Sequence, residues 1–136
     1  METIRQVSYC YAMTSNKPGE GARLLETLRA AGVNLLLVHG FPSARKAQID
    51  FVATDHATLA AAAKSAKVKL SRPKAAFLIE GDDEIGAVAS VMGRLAAAKI
   101  GVTALTAVCA GMGRYGGVLW VAPRDVKRAG KALGAR

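Results

Sequence analysis

The sequence is short of most of what chemistry requires. Two histidines, His39 and His56, and two cysteines, Cys10 and Cys109, are its whole supply of those side chains. They form no cluster at metal-ligand spacing, so no metal site is expected. Catalysis needs an activated nucleophile, an acid–base pair or a metal. The single suggestive neighbour is Asp55 beside His56, and Asp55 reads better as a helix cap. No phosphate-binding Walker loop and no Gly-x-Gly-x-x-Gly run opening a helix is present. The chain is therefore read as a non-enzyme without cofactors. Long apolar runs are also missing. The stretch after Arg94 is broken by Lys99 and is rich in Gly, Ala and Thr, which is too punctuated to span a bilayer. No basic-then-apolar leader with a cleavage site opens the chain. Both cysteines sit in apolar, strand-like runs and read as small buried hydrophobes in a reducing compartment, so a cytoplasmic location is expected.

Acidic residues are scarce as well. Ten Asp and Glu face 19 Lys and Arg, for a net charge of +9. The excess comes from Lys64, Lys67, Lys69, Arg72 and Lys74, and from Arg124, Lys127, Arg128, Lys131 and Arg136 near the end. Such clusters either keep a surface solvated or attract anions, nucleic acid among them.

What the chain does have is a repeat. Asn16-Lys17-Pro18-Gly19 opens a helical pattern that closes at Ala31-Gly32-Val33-Asn34-Leu35. Sixty-seven positions later, Asp83-Glu84-Ile85-Gly86 opens another, closing at Ala98-Lys99-Ile100-Gly101-Val102. The shift superposes Gly19 on Gly86, Leu24 on Val91 and Leu28 on Leu95. A unit of this length is near the lower limit for folding alone, so two such units should share a core or a sheet.

Along the chain, Arg5 to Met13 (with a start as early as Thr3) reads as a strand, with Val7, Tyr9, Tyr11 and Met13 on one face and Ser8, Cys10 and Ala12 on the other. A helix is expected over 19–31, with Gly32 as its left-handed stop. Val33 to Phe41 is a nearly all-apolar strand that could be covered on both faces. Pro42 to Lys46 is a hairpin connection. Ala47 to Thr54 alternates, with Ile49, Phe51 and Ala53 inward. His56 to Lys67 is a helix capped by Thr54 or Asp55, and Val68 to Arg72 a brief strand. The second copy repeats the order: strand Ala75 to Glu80, helix capped by Asp82 and Asp83 and running to about Ala98, strands Val102 to Ala110 and Gly117 to Pro123 around a Gly-rich hairpin, and a last helix from Asp125 to about Leu133. Its final strand is missing, and the long first strand is a candidate donor, within the chain or from a second chain. The expected fold class is α+β: two ferredoxin-like βαββαβ units in tandem, 1–73 and 74–136, with antiparallel sheets and helices on one face.

The run Asn16-Lys17-Pro18-Gly19-Glu20-Gly21-Ala22, then Leu24-Leu25, Leu28 and Ala31-Gly32-Val33-Asn34-Leu35, resembles the ACT domain. Residues 83–89 and 98–102 look like a more divergent copy, without the Pro and with Lys99 and Gly101 where that family usually shows Gly and Asn. The resemblance implies a free-standing tandem-ACT protein that senses a small molecule, often an amino acid, at the interface between units. It implies ligand contacts at Asn16, Lys17, Pro18, Gly19, Glu20, Val33, Asn34 and Leu35, and at the second loop Asp83, Glu84, Ile85 and Gly86. It also implies a homodimer and a regulated enzyme as partner. The loop chemistry agrees: a Gly before a helix leaves N–H groups free for a carboxylate, Lys17 adds positive charge, and Glu20 could meet an ammonium. The second loop is acidic, with Glu80, Asp82, Asp83 and Glu84 together, so it could bind a cation or repel an anion.

Two other readings compete. One is an RNA binder of the same fold, which would stack bases on aromatics of its first and third strands. Tyr9, Tyr11 and Phe51 lie there, but Phe51 falls with Ile49 on the apolar face, so these aromatics read as core and nucleic acid is disfavoured. The other is a dimerisation module that regulates a partner enzyme without any ligand.

Overall fold

A computed structural model describes all of residues 1–136. The elements run β1 (Thr3–Ser15), α1 (Glu20–Ala30), β2 (Leu35–Ser43), β3 (Lys46–Ala53), α2 (His56–Ser65), β4 (Lys74–Asp82), α3 (Ala87–Ala97), β5 (Val102–Cys109), β6 (Arg114–Val121) and α4 (Val126–Leu133), the last preceded by a 3₁₀ turn at Pro123–Asp125. Apart from the brief strand expected at 68–72, this is the α+β order expected from the sequence. Two compact units result, one of Ser8–Lys74 and one of Met1–Val7 with Ala75–Arg136.

In the first unit the strand order is β2-β3-β1, with both pairings antiparallel. Cys10 and Ala12 of β1 and Ile49, Phe51 and Ala53 of β3 face Leu24 and Leu28 of α1 and Leu59 of α2. The alternation of β3 holds on that face. Its other face departs from the pattern, since Asp50 and Val52 are buried too. Strand β2 corrects the expectation of cover on both faces. It pairs only with β3, and Leu36 and Val38 remain 40% and 46% exposed, as an edge strand allows. The hairpin is also tighter than expected: the strands run to Ser43 and from Lys46, leaving a two-residue turn in which Ala44 takes a left-handed φ of 56°.

Residues 68–72 form no strand, against expectation. One residue does the pairing instead: Ser71 donates its N–H to the Tyr11 carbonyl (2.8 Å) and accepts the Tyr11 N–H on its hydroxyl (2.9 Å). The segment stops there because Pro73 has no N–H to extend a ladder. Val68 and Leu70 pack against the core.

In the second unit β6 lies between β4 and β5, antiparallel to both. The core joins Phe77 and Ile79 of β4, Leu119 and Val121 of β6, Val91 and Leu95 of α3, and Ala129 and Leu133 of α4. Ile4 of β1 belongs to this core as well. The last strand that the second copy lacks is thus supplied by the first residues of β1, which neighbours β4. Arg136 closes the other side, donating its N–H to the Ile4 carbonyl and accepting from the Gln6 N–H, each at 3.0 Å. Arg94 pairs with Glu2 and Arg114 with Asp82, tying the start of the chain to this unit. Strand β6 begins at Arg114, three residues earlier than expected. The Gly-rich stretch shrinks to a turn in which Gly111, Met112 and Gly113 all have positive φ.

All four helices end alike. The residues Gly32, Lys67, Lys99 and Gly134 are left-handed, and the next N–H returns to the carbonyl five residues back: Val33 to Leu28, Val68 to Ala63, Ile100 to Leu95 and Ala135 to Gly130. This is the Schellman closure. It obeys the 67-residue shift at both pairs of ends, 32 with 99 and 67 with 134.

Candidate functional site

The loops that open α1 and α3 share one backbone device. Gly19 and Gly86 are the N-cap residues, left-handed at φ 92° and 82°, and neither helix has a side-chain cap. A left-handed residue there favours glycine, which loses little by adopting it. In α1 the Glu20 N–H returns to the Lys17 carbonyl, and in α3 the Ala87 N–H returns to Glu84. The next two amides, Gly21 and Ala22 in one helix and Val88 and Ala89 in the other, donate to nothing in the protein. Each helix therefore presents two free N–H groups at the positive end of its dipole.

Around the first loop, Asn16, Lys17, Pro18 and Gly19 are exposed and Glu20 is half-buried, 3.7 Å from Arg23. Asn34 is engaged elsewhere. Its Nδ2 donates to Thr54 Oγ1 at 2.7 Å and its carbonyl accepts the Thr54 N–H at 2.9 Å, so it ties the start of β2 to the end of β3. Val33 and Leu35 turn their side chains to the core.

Around the second loop, the expected caps Asp82 and Asp83 do other work. Asp82 is the last residue of β4. It accepts from the N-terminal ammonium and, at 2.8 Å, from Arg114, and these two cations hold its carboxyl below the usual range. Asp83 donates its N–H to the Gly113 carbonyl (2.9 Å). Its carboxylate, as neighbour of the Cys109 thiol, is the first cause of that thiol's raised pKa. The carboxylates do not converge into a set of three able to hold a metal ion. Glu84 forms no side-chain hydrogen bond or ion pair, and Ile85 projects fully into solvent.

Two adjoining clefts, of about 310 and 300 Å³, open at this loop. Their common wall is Glu84, Gly86, Ala87 and Tyr115. One extends along α3 past Val88 and Ala89 to Cys109 at the end of β5. The other extends over Gly81 and Ser90 to Glu2. Tyr115 was not singled out by sequence reasoning, which left it inside the Gly-rich hairpin. In the fold it sits between Gly81 on β4 and Cys109 on β5. Its ring lies so close over Gly81 that a Cβ there would meet Cε1 at 2.7 Å and the hydroxyl at 3.4 Å. The one signal in the sequence was a lone aromatic among glycines. Tyr115 is only 7% exposed, and its hydroxyl is buried without a hydrogen-bond partner. Burial first, then the charge of Glu2, pushes its pKa above the ordinary value, so it stays neutral.

Two further expectations need correction. Cys10 is fully buried, but Cys109 is exposed, because it ends an edge strand. Phe51 is core, whereas Tyr9 and Tyr11 point away from the face of Cys10 and Ala12, and Lys74 Nζ stands 5.6 Å from the Tyr11 ring centre. The basic residues of both clusters are exposed. No helix is long and apolar enough to cross a membrane.

Solved structures share this architecture over almost the whole chain. A protein from Bacteroides thetaiotaomicron, BT0572, superposes with a TM-score of 0.81 at 16% identity, covering 98% of this chain and 88% of its own. The ligand-free regulatory subunit of aspartate kinase from Thermus thermophilus gives 0.63 at 10% identity, covering 96% and 92%. The same subunit from Thermus flavus gives 0.60 at 13%, covering 98% and 94%. This is the tandem ACT fold. The sequence resemblance is thus met at the level of architecture. No protein-family model matches the sequence, and no curated protein matches it. A tandem ACT fold does not by itself assign an activity; the site has to do that.

Proposed function

We propose that this chain is a non-catalytic regulatory protein of the ACT type that binds a small effector, an amino acid, at its strand–helix loops. The observation that carries the reading is the repeated helix start: a left-handed, uncapped glycine followed by two free N–H groups, at Gly19 and again at Gly86. A carboxylate satisfies such amides. Lys17 adds a positive charge at the first loop, and Glu84 a negative one at the second, each able to meet one end of an amino acid bound at its own loop. The likeness to aspartate kinase regulatory subunits supports a regulatory role. On this reading the protein works in the cytoplasm as a homodimer. Effector binding favours one arrangement of the units and is felt by a partner enzyme.

The test is a thermal-shift screen of the twenty amino acids, each added singly. A ligand at a hundredfold over its dissociation constant stabilises by about 2.7 kcal/mol, which such a screen resolves easily. A rise with one amino acid or a related few is expected. No shift with any of them, together with salt-sensitive retention on RNA, would overturn the reading in favour of the nucleic-acid alternative.

A further inference from the structure

We infer that the exposed face of α4, together with Lys99 at the end of α3, is a docking surface for the phosphate backbone of double-stranded nucleic acid. This goes beyond the effector reading above and does not rest on it.

The second unit separates its charges. Glu2 lies just before β1, and Glu80, Asp82, Asp83 and Glu84 lie at the end of β4 and in the loop after it. Residues 85–136 then hold one acid, Asp125, against eight Lys and Arg. Asp125 is spent on Arg128, which donates to it at 2.8 Å and to the Ala98 carbonyl at 2.7 Å. The second bond anchors α4 to the end of α3 and brings Lys99 beside it. Lys127 and Lys131 share one face of α4, with Arg124 a turn earlier. Lys99, Arg124, Lys127 and Lys131 are all exposed, and none of their side chains makes a hydrogen bond or ion pair.

Helix stability does not account for these cations. Lys127 is in the first turn of α4 and Arg124 just before it, at the positive end of the dipole, where a cation is disfavoured. Lys99 holds a left-handed φ of 57°, where the equivalent residue of the first copy is Gly32. Solvation does not account for them either. Helix α1 shows how this chain solvates an exposed helix: Arg23 stands by Glu20 and Arg29 by Glu26. On α4 one sign is left uncompensated.

The rest of the face selects the partner. A protein interface is built around apolar or aromatic anchors, and none of the exposed large hydrophobic side chains lies on α3 or α4. Single strands are held by stacking, and the unit's Phe77, Tyr115 and Trp120 are all buried. A lipid surface takes up an apolar helix face, and α4 turns Ala129 and Leu133 into the core. What remains is cations beside the small, exposed Gly93, Ala96 and Ala97 of α3. Such a face meets phosphates, which are held by charge and carry no sequence. The sheet aromatics that a base-stacking protein of this fold would use play no part.

The experiment is fluorescence anisotropy of a labelled DNA duplex of about 20 base pairs, titrated with the full chain between about 50 and 200 mM salt. Four uncommitted cations give an expected log–log slope of affinity against salt of about −3.6, at about 0.9 per phosphate. An RNA duplex, or a DNA duplex of another sequence, should compete equally well, because nothing on the face reads base edges or the 2′-hydroxyl. Lys127→Gln with Lys131→Gln should weaken binding about tenfold or more at the lowest salt and flatten the slope by about 2. Lys127→Arg with Lys131→Arg should retain binding, which separates lost charge from lost fold. Arg45→Gln with Lys46→Gln removes the same charge from an exposed turn of the first unit and should change affinity by less than about twofold. The inference fails if the duplex is not bound at the lowest salt, or if the two Gln variants lose affinity equally. It fails too if poly-L-glutamate or phosphatidylserine vesicles displace the labelled duplex better, charge for charge, than unlabelled duplex does. Duplex on this face is compatible with an effector at the loops, so the thermal-shift screen decides that reading separately.

Discussion

The helix ends make a prediction that the repeat itself calibrates. At each pair of equivalent ends one copy has glycine and the other has lysine in the same left-handed conformation: Gly32 with Lys99 at φ 76° and 57°, Lys67 with Gly134 at 58° and 64°. For a residue with a Cβ that conformation costs roughly 1–2 kcal/mol. Glycine avoids the clash but loses more backbone freedom on folding, roughly 0.5–1 kcal/mol. A lysine at a helix C-terminus also gains about 0.3 kcal/mol from the dipole when exposed at low salt. Lys99→Gly should therefore stabilise by about 0.5 kcal/mol in dilute buffer, and by somewhat more in high salt, where the dipole term is screened. Lys67→Gly should behave the same way, and the double variant should add, because the two sites belong to different units. Urea unfolding followed by far-UV circular dichroism measures the sum. The fluorescence of the single, buried Trp120 follows the second unit separately. A Lys99→Gly variant less stable than the wild type at both low and high salt would refute the argument, since the backbone term would then have the wrong sign.

Two other predictions follow from the core. Gly81→Ala forces a Cβ to 2.7 Å from the buried Tyr115 ring, so it should cost about 1–3 kcal/mol and change the near-UV tyrosine signal; unchanged stability would mean that the ring moves aside. Cys10 is fully buried, and burial followed by the charge of Asp50 pushes its thiol from 9.0 up to about 11. The folded state then holds a proton that the unfolded state has released, so this contribution is intact below pH 9 and is lost as pH rises toward 11, by at most about 3 kcal/mol. Comparing the wild type with Cys10→Ala isolates it from the titrating lysines, and a pH-independent difference between them would contradict it. In the same protein at neutral pH a thiol reagent should label Cys109 and leave Cys10 untouched until unfolding.

Much of the fold was legible because it rests on periodicity. The helix faces of Leu24, Leu28, Val91 and Leu95, and the alternation Ile49-Phe51-Ala53, are statements about burial, and burial dominates the energy. The first strand was legible as a candidate for the missing last one, but not whether it would come from this chain or a second; its length, Thr3–Ser15, lets its first residues serve the second unit. What failed were positions where apolar character alone does not say what lies alongside. An all-apolar β2 looks the same whether it is central or at an edge. Residues 68–72 look like a strand, but Ser71 replaces a ladder with one side-chain bond. The carboxylates of Asp82 and Asp83 looked like caps by their spacing, yet an arginine and an ammonium from elsewhere in the unit claim Asp82, and Asp83 spends its backbone N–H on Gly113. Of the candidate site, the loop glycines were legible because positive φ selects glycine. Tyr115 was not, because its meaning depends on strand register, which places it over Gly81.

The repeat also separates what a fold needs from what a site needs. Where the two copies share a structural requirement, the backbone is the same even when the residue differs, as with glycine and lysine at the helix ends. Where a requirement is chemical, identity matters and the copies part. Asn34 of the first copy spends its amide on Thr54, and its equivalent in the second is Gly101, which has no amide to spend. Tyr115 of the second stands where the first has Ala47. An invested side chain such as Asn34 serves the fold, and its replacement should be read in stability. A buried hydroxyl that serves no bond of the fold is the opposite case, because Tyr115→Phe removes an unpaired polar group and should leave stability standing or raise it. Thermal melts of Asn34→Ala and Tyr115→Phe, one in each copy, should therefore part: the first falls, and the second stays level or rises.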